Sequence, residues 1–239
     1  PFLGGVSMAI EMTKSYPDLS IWVNDLYEPL YLFWLALRDD GDYLYDQLIQ
    51  LKQRHPDQGS AKQLFLDAKE KVNDDDIGYK DKAVAFYIIN KCSFSGLTES
   101  SSFSPQASES NFSIRGIENL KTYSILIKNW KITNNNYNDL LTNDESIVTY
   151  LDPPYEIKSN LYGKKGNMHK GFDHDGFATL CDQFDGHQLI SYNSSQLIRD
   201  RFKEWTVSEF AHTYTMRSVG CYNKVQASRK ELVLFNYEV

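Results

Sequence analysis

The sequence predicts an α/β protein in which strands alternate with helices around a mixed sheet. Short apolar runs bounded by turn residues alternate with longer segments of helical periodicity, the pattern of a sheet with crossover helices. The chain has 239 residues, 41% hydrophobic and 14% aromatic, which is enough apolar material for one or two folded domains and excludes general disorder. No apolar run reaches the length of a membrane span, and the three cysteines lack metal-ligand spacing.

The N-terminal segment predicts a Gly-rich turn, a helix, a buried strand and a second helix. The turn occupies Pro1–Ala9 and runs into a helix that starts at Met8. Ser20–Asp25 is apolar in its middle and ends on an acid, as expected of a short buried strand. Glu28–Leu37 is strongly apolar and aromatic, and this predicts a buried helix.

The middle of the chain predicts helices interrupted by turns and one long loop. Residues 39–90 are helical in pattern, with breaks at His55–Asp57 and Asp74–Asp76. Ser93–Ser113 is rich in Ser, Phe and Gly and predicts a loop or hairpin, and a loop of this length in a compact domain is usually functional. Ile114–Trp130 predicts another helix.

The C-terminal part predicts most of the sheet. Its elements in chain order are a strand Ser146–Leu151, a Gly/Lys loop Lys158–Phe172, a helix Asp175–Phe184, a strand Gln188–Tyr192, a helix Ser195–Trp205, and strands Val207–Tyr214 and Glu231–Tyr237 around a basic loop.

The net charge of −7 does not argue against a polyanionic partner, because basic residues are concentrated in three stretches. Arg115–Lys131, Glu156–Lys170 and Arg217–Lys230 carry +3, +3 and +4, which leaves −17 for the rest of the chain. A local basic field can bind nucleic acid whatever the total charge. Three solvated surface loops are the alternative interpretation.

The tetrapeptide Asp152-Pro153-Pro154-Tyr155 carries the sharpest chemical signal. It directly follows a hydrophobic strand, and ligands of open α/β sheets bind outside the carboxyl ends of strands. The Asp152 carboxylate and the Pro153 carbonyl can accept both N–H bonds of an aromatic amine and so free its lone pair for attack. The prolines preorganise that geometry, and the Tyr155 ring offers a face on which a base can stack. A Pro-rich turn that merely closes a strand is the alternative.

A second signal joins the Gly-rich turn Pro1–Ser7 to Asp25, which ends the next apolar strand. Glycines between a strand and a helix let the backbone approach a ligand closely, and an acid one strand later is where an adenosine-type cofactor is held by its ribose. The turn alone is weak evidence, since a simple strand–helix connection has the same composition.

With these motifs the sequence resembles the Dam-type DNA adenine-N6 methyltransferases in which the recognition region lies between the cofactor and catalytic motifs. Pro1–Ser7 resembles their PF-x-G-G-G-S loop with Val6 in place of the third glycine, and Asp152–Tyr155 is their catalytic tetrapeptide. Further segments that match in order are Asn24-Asp25, Asn90–Leu97, Leu161–Gly163, His169–His174, Leu189–Asn193 and Lys230–Tyr237.

The resemblance implies a Rossmann-like class I methyltransferase fold with a mixed sheet, its last strand antiparallel, and a mostly helical target-recognition insertion. It implies a catalytic domain of residues 1–37 and 146–239 and a recognition region of residues 38–145. It also implies catalysis by Asp152, Pro153, Pro154 and Tyr155, and S-adenosylmethionine binding by Pro1, Phe2, Gly4, Gly5, Ser7, Asp25, Leu26 and Asp152. We expect DNA contacts from Arg115, Lys158, Lys164, Lys165 and Lys170.

The implied reaction is methyl transfer from S-adenosylmethionine to adenine N6 in duplex DNA, with the base flipped out of the stack. The expected setting is the cytoplasm of a bacterial or phage-infected cell, as a monomer, with a possible cognate restriction endonuclease. Alternatives are another planar amine (cytosine N4, RNA adenine or a glutamine amide), an inactive DNA-binding fragment, and an unrelated nucleotide-binding enzyme.

Two departures from the family pattern qualify this expectation. The family's N-terminal Trp/Lys motif does not precede Pro1, so the resemblance implies an N-terminally truncated chain. Thr98–Ser102 offers no basic residue where many relatives have one.

His169, Asp173 and His174 cluster without a fourth ligand, and we therefore expect no metal.

Overall fold

The computed structural model describes residues 1–94, 101–155, 171–212 and 229–238. These residues fall into two compact units. Of the described residues, the helical unit comprises 3–94, 101–136 and 171, and the sheet unit comprises 1–2, 137–155, 172–212 and 229–238. Each unit is described by itself.

The helical unit contains seven helices and two short strands among its described residues. In chain order they are α1 Ser7–Ser15, β1 Trp22–Asn24, α2 Glu28–Asp39, α3 Gly41–Arg54, α4 Gln58–Lys71, α5 Tyr79–Cys92, α6 Pro105–Ser110, α7 Ile114–Leu126 and β2 Lys131–Thr133. β1 and β2 pair in parallel, with Trp22 opposite Lys131.

Helix α5 forms the centre of the helical unit's core. Every residue from Lys82 to Ile89 is buried, and α5 packs against both α2 and α4. Both predicted helix breaks are confirmed: α3 ends at Arg54 before Asp57 caps α4, and α4 ends at Lys71 before α5 begins at Tyr79. The polar residues between the helices therefore mark where one helix ends and the next begins, and the apolar faces of these helices pack in one core.

Among its described residues, the sheet unit contains four strands. After a 3₁₀ turn at Tyr137–Leu140 come β3 Val148–Leu151, α8 His174–Cys181, β4 His187–Asn193, α9 Gln196–Arg201, β5 Thr206–His212 and β6 Arg229–Phe235.

The four strands form a mixed sheet in the order β3-β4-β6-β5. β3 and β4 are parallel, and β6 lies between β4 and β5 antiparallel to both, so the predicted antiparallel last strand is confirmed. One sheet face carries buried side chains that pack with α8 and α9, among them Leu151, Ile190 and Tyr192. Since β3, β4 and β5 run in one direction, their carboxyl ends share one edge of the sheet with the start of β6.

Three predictions require correction in the part of the chain that the structure describes. The strands form two sheets, one two-stranded and one four-stranded, where one sheet was predicted. The segment 93–113 contains helix α6 rather than only a loop or hairpin, because Ser104 caps it and Pro105 begins it. The helix predicted for Ile114–Trp130 ends at Leu126, and β2 begins at Lys131.

Within the segment 93–113, an isolated antiparallel bridge joins Ser93 and Phe103. No helix in the described ranges combines the length and the apolar character needed to cross a bilayer.

Candidate active site

Asp152 leaves the four-stranded sheet at its carboxyl edge. It directly follows Leu151, the last residue of β3, whose side chain is fully buried in the core of the sheet unit. Pro153 is also buried, whereas Asp152 is exposed. The predicted context of the tetrapeptide, a buried strand that ends at the carboxylate, is therefore present.

The environment of Asp152 makes its carboxyl a weaker acid than usual. Although the side chain reaches solvent, desolvation by the protein around it raises its pKa from 3.8 to about 6. A hydrogen bond from Ser191 opposes this rise, the negative charge of Glu231 adds to it, and a hydrogen bond from Tyr155 opposes it further. Asp152 is thus mostly ionised at neutral pH and titrates about one unit below it.

A hydroxyl from the neighbouring strand lies between Asp152 and Tyr155. The Ser191 hydroxyl, on β4, donates to Oδ1 of Asp152 over 3.4 Å. The hydroxyls of Ser191 and Tyr155 are 2.9 Å apart and share a hydrogen bond. The sequence placed Ser191 in a strand that matches the family but assigned it no role.

An aromatic cluster surrounds the base of this site. The rings of Tyr155 and Tyr192 lie 6.1 Å apart, and the Tyr192 hydroxyl is 2.7 Å from Nδ1 of His174. Phe2 contributes to the same core, since its ring centroid lies 5.3 Å from Tyr137. Phe2 and Tyr155, both predicted site residues, therefore pack on one hydrophobic cluster.

From Leu3 onwards, the Gly-rich turn is a tight backbone loop in the helical unit. The backbone N–H of Leu3 donates to the carbonyl of Asn24 at 3.0 Å, which attaches the loop to the end of β1. Gly4 has φ 49° and Val6 has φ 54°, both in the left-handed region. Gly5 has open space where a side chain would stand. The turn thus exposes backbone to which a ligand can come close.

Asp25 follows β1 and holds this turn by its carboxylate. Oδ1 accepts the backbone N–H of Tyr27 at 2.8 Å, and Oδ2 accepts that of Gly4 at 3.4 Å. Burial raises the pKa of Asp25, and hydrogen bonds from the backbone of Tyr27, Gly4 and Leu3 oppose the rise. The predicted pairing of the turn with an acid one strand later is therefore present.

The end of β1 is fixed by a buried amide that the sequence did not single out. Oδ1 of Asn24 accepts from the Thr133 hydroxyl and from the backbone N–H of Asn135, each at 2.8 Å. Its Nδ2 donates to the carbonyl of Asn135 at 2.9 Å. Asn24 therefore satisfies its hydrogen bonds across to β2 and positions the next residue, Asp25. The only local signal was an Asn before the acid.

Residues 1–217 match the family model described as D12 class N6 adenine-specific DNA methyltransferase. The chain belongs to this family. The family resemblance predicted from the motifs is thereby confirmed.

Among curated proteins, this D12-class chain is similar to Type II methyltransferase M.MjaIII of Methanocaldococcus jannaschii. The two are 27% identical over 166 residues, which is 65% of this chain. The matched region covers 57% of the relative, so the chain spans little more than half of that protein's length.

The remaining predicted site residues of this D12-class chain have varied positions. Leu26 is 55% exposed beside Asp25, and Ser7 is exposed at the first position of α1. Arg115 is exposed in the first turn of α7. The predicted DNA contacts Lys158, Lys164, Lys165 and Lys170 lie outside the described residues.

Two members of the weak His/Asp cluster have structural partners. Asp173 caps α8 by accepting the backbone N–H of Gly176 at 2.9 Å, and His174 contacts Tyr192. His169 lies outside the described residues. Across the described ranges, no group of three or more His, Cys, Asp or Glu residues has metal-binding geometry.

Proposed function

We propose that this chain transfers a methyl group from S-adenosylmethionine to N6 of adenine in duplex DNA. The observation that carries the proposal is the carboxylate of Asp152 at the open carboxyl edge of the sheet, followed at once by two prolines. Membership of the D12 class supports adenine as the target.

The helical unit has features that suit the adenosine part of S-adenosylmethionine. The carboxylate of Asp25 can accept hydrogen bonds from a ribose diol, and the exposed side chain of Leu26 next to it offers an apolar contact for a purine. The open space at Gly5 admits a ligand against the backbone. Pro1, Phe2, Gly4 and Ser7 remain proposed contacts on the same argument.

Asp152 and its neighbours make an aromatic amine more nucleophilic. The lone pair of adenine N6 is delocalised into the ring, and a carboxylate and a carbonyl that accept both N–H bonds draw the nitrogen towards tetrahedral geometry. Asp152 supplies the carboxylate, and Pro153 supplies a carbonyl on a backbone whose φ is restricted. The amine becomes positively charged as it is methylated, and the Asp152 carboxylate is placed to accept the proton it loses.

When bound, S-adenosylmethionine supplies an electrophilic methyl group, whose bond to sulfur breaks as its bond to N6 forms and leaves a neutral thioether. The target base has to leave the stack to reach Asp152, and the ring of Tyr155 offers it a face. Tyr155 is partly buried and packed on the core of the sheet unit, which holds the ring in a defined place.

The finer predictions about the fold and the partners are part of the same proposal. We assign β3–β6 to a Rossmann-like class I methyltransferase sheet, residues 1–37 and 146–239 to catalysis, and residues 38–145 to target recognition. The relative's name supports pairing with a restriction endonuclease. A monomer in the cytoplasm is the proposed working form.

The test is methylation of plasmid DNA in vitro with labelled S-adenosylmethionine, followed by mass spectrometry of the released nucleosides. We expect N6-methyladenine from the wild type and loss of at least about 100-fold in rate for Asp152→Ala. Asp200→Ala, which removes an exposed carboxylate from α9, is the matched control and should keep full activity. Label in cytosine N4, or near-full activity of Asp152→Ala, would refute the proposal.

A further inference from the structure

We propose that Ser191 is a positioning residue for Asp152: the Ser191 hydroxyl donates to the carboxylate and shares a hydrogen bond with the hydroxyl of Tyr155. The inference rests on the proposed function and adds a residue to it. In this proposal Ser191 joins two groups of the site by hydrogen bonds: the Asp152 carboxylate, which receives the amine, and Tyr155, whose ring stacks on the base.

Ser191 is placed by the register of β4. Side chains alternate across a strand, so Tyr192 points into the buried core of the sheet unit and Ser191 points to the opposite face. The next strand is β3, where Leu151 lies opposite Ile190, so Ser191 is level with the residue that follows β3. That residue is Asp152.

Ser191 is only 9% exposed, so its hydroxyl needs partners within the protein. One hydroxyl proton can be donated once, while the oxygen can also accept. Donation to Oδ1 of Asp152 at 3.4 Å uses the proton, and the Ser191 oxygen lies 2.9 Å from the Tyr155 hydroxyl, within hydrogen-bonding distance. The first distance is long for an O–H···O bond.

The hydrogen bond of Ser191 to Oδ1 fixes how the Asp152 carboxylate is presented to the amine. The prolines that follow restrict the backbone of Asp152 but not its side-chain torsions. A hydrogen bond on one oxygen restricts these torsions and decides which lone pairs face the target. Among the groups that lower the pKa of Asp152, Ser191 acts more strongly than Tyr155.

Two further titratable groups interact with Asp152 or Ser191 and have to be considered in an experiment that varies pH. Glu231, on β6, raises the pKa of Asp152 by its negative charge. Tyr150, on β3, has its own pKa raised by burial and by the charge of Asp152, and a hydrogen bond between the Tyr150 and Ser191 side chains opposes this rise. Tyr150 therefore stays neutral while Asp152 titrates.

The kinetic test compares Ser191→Ala with the wild type from pH 5 to 8. We expect kcat to fall roughly 10- to 100-fold, with KM for DNA and for S-adenosylmethionine nearly unchanged. The acid limb of the kcat/KM profile should move to higher pH, because Asp152 loses a hydrogen bond that favours its ionised form. Ser191→Thr, which keeps the hydroxyl, should restore both quantities, and Ser194→Ala should change neither.

A second measurement does not depend on activity. The carboxyl ¹³C resonance of Asp152, assigned by its loss in Asp152→Asn, is titrated in the wild type and in Ser191→Ala. A higher pKa in the variant supports the hydrogen bond, and an unchanged pKa together with unchanged kcat overturns the proposal. If the wild type methylates no adenine, the proposed function fails while this titration still decides the role of Ser191. Should Ser191→Ala not fold, Ser191→Cys, a weaker donor, is titrated in its place.

Discussion

The backbone N–H of Gly4 donates to Oδ2 of Asp25, a carboxylate 21 residues further along the chain, at 3.4 Å. The other oxygen of Asp25 accepts from the backbone of Tyr27. One acid thus attaches the Gly-rich turn to the end of β1. It also stands where the proposed cofactor would be held by its ribose.

Replacement of Asp25 should therefore weaken cofactor binding. We expect Asp25→Ala to reduce the affinity for S-adenosylmethionine at least about tenfold in calorimetric titration, since both the ribose acceptor and the bond that holds Gly4 are lost. Asp18→Ala, which removes an exposed carboxylate before β1, should bind like the wild type. Equal affinities of the two variants would show that Asp25 has no part in the cofactor site.

The raised pKa of Asp152 predicts opposite effects of pH on activity and on stability. Activity requires the ionised carboxylate, so kcat/KM should rise as the pH rises through about 6. Between pH 3.8 and about 6 the folded protein holds the Asp152 proton more tightly than the unfolded chain does. The contribution of Asp152 to the free energy of unfolding therefore falls as the pH rises through this range.

Urea unfolding of wild type and Asp152→Asn at several pH values measures the second effect. Asp25 also has a raised pKa and is present in both proteins, so the difference between them isolates Asp152. The stability of the wild type relative to the variant should decrease from pH 4 to pH 6.5. A constant difference would mean that the pKa of Asp152 is the same in the folded and unfolded states.

Val6 occupies a backbone conformation that suits glycine. Its φ is 54°, unfavourable for a β-branched residue, while its side chain is buried. Val6→Ala and Val6→Gly both lose the buried side chain, but only the glycine variant relieves the backbone. We expect Val6→Gly to be more stable than Val6→Ala by about 1 kcal/mol in urea unfolding.

The same pair of substitutions at an ordinary helical position provides the control for Val6. Lys62 is exposed in the interior of α4, and there Lys62→Ala should be more stable than Lys62→Gly by about 1 kcal/mol. The order of alanine and glycine should thus reverse between the two sites. The same order at both would contradict the left-handed conformation of Val6.

Arg115 is the predicted DNA contact that the structure describes. If Arg115 binds a phosphate, Arg115→Ala should lower the affinity for duplex DNA. The slope of the logarithm of the binding constant against the logarithm of the salt concentration should also become shallower by about one. The measurement is fluorescence anisotropy with labelled duplex DNA at several salt concentrations. Lys203→Ala removes an exposed charge from the sheet unit and serves as the comparison. An unchanged salt dependence would show that Arg115 does not contact a DNA phosphate.

Local sequence patterns predicted most elements of this protein because their causes are local. Asp40 and Asp57 begin helices by capping them, and Leu151 ends a strand immediately before Asp152. The two motifs could be found for the same reason, since each is a short segment whose function depends on its own residues and on one neighbouring strand. Helix α6 had a local signal as well, Ser104 before Pro105, in a segment whose composition suggested a loop.

The sequence by itself determined the α/β class, the family and the residue types of the proposed site: a carboxylate before two prolines, and an acid one strand after a Gly-rich turn. Only the tertiary structure decided which strands pair and which side chains meet. β2 is three residues long and shows no periodicity, and it forms through bonds to β1 more than a hundred residues away. Ser191 contacts Asp152 only because β4 pairs with β3 in one register, and that register is fixed when Leu151 and Ile190 are buried together in the core of the sheet unit.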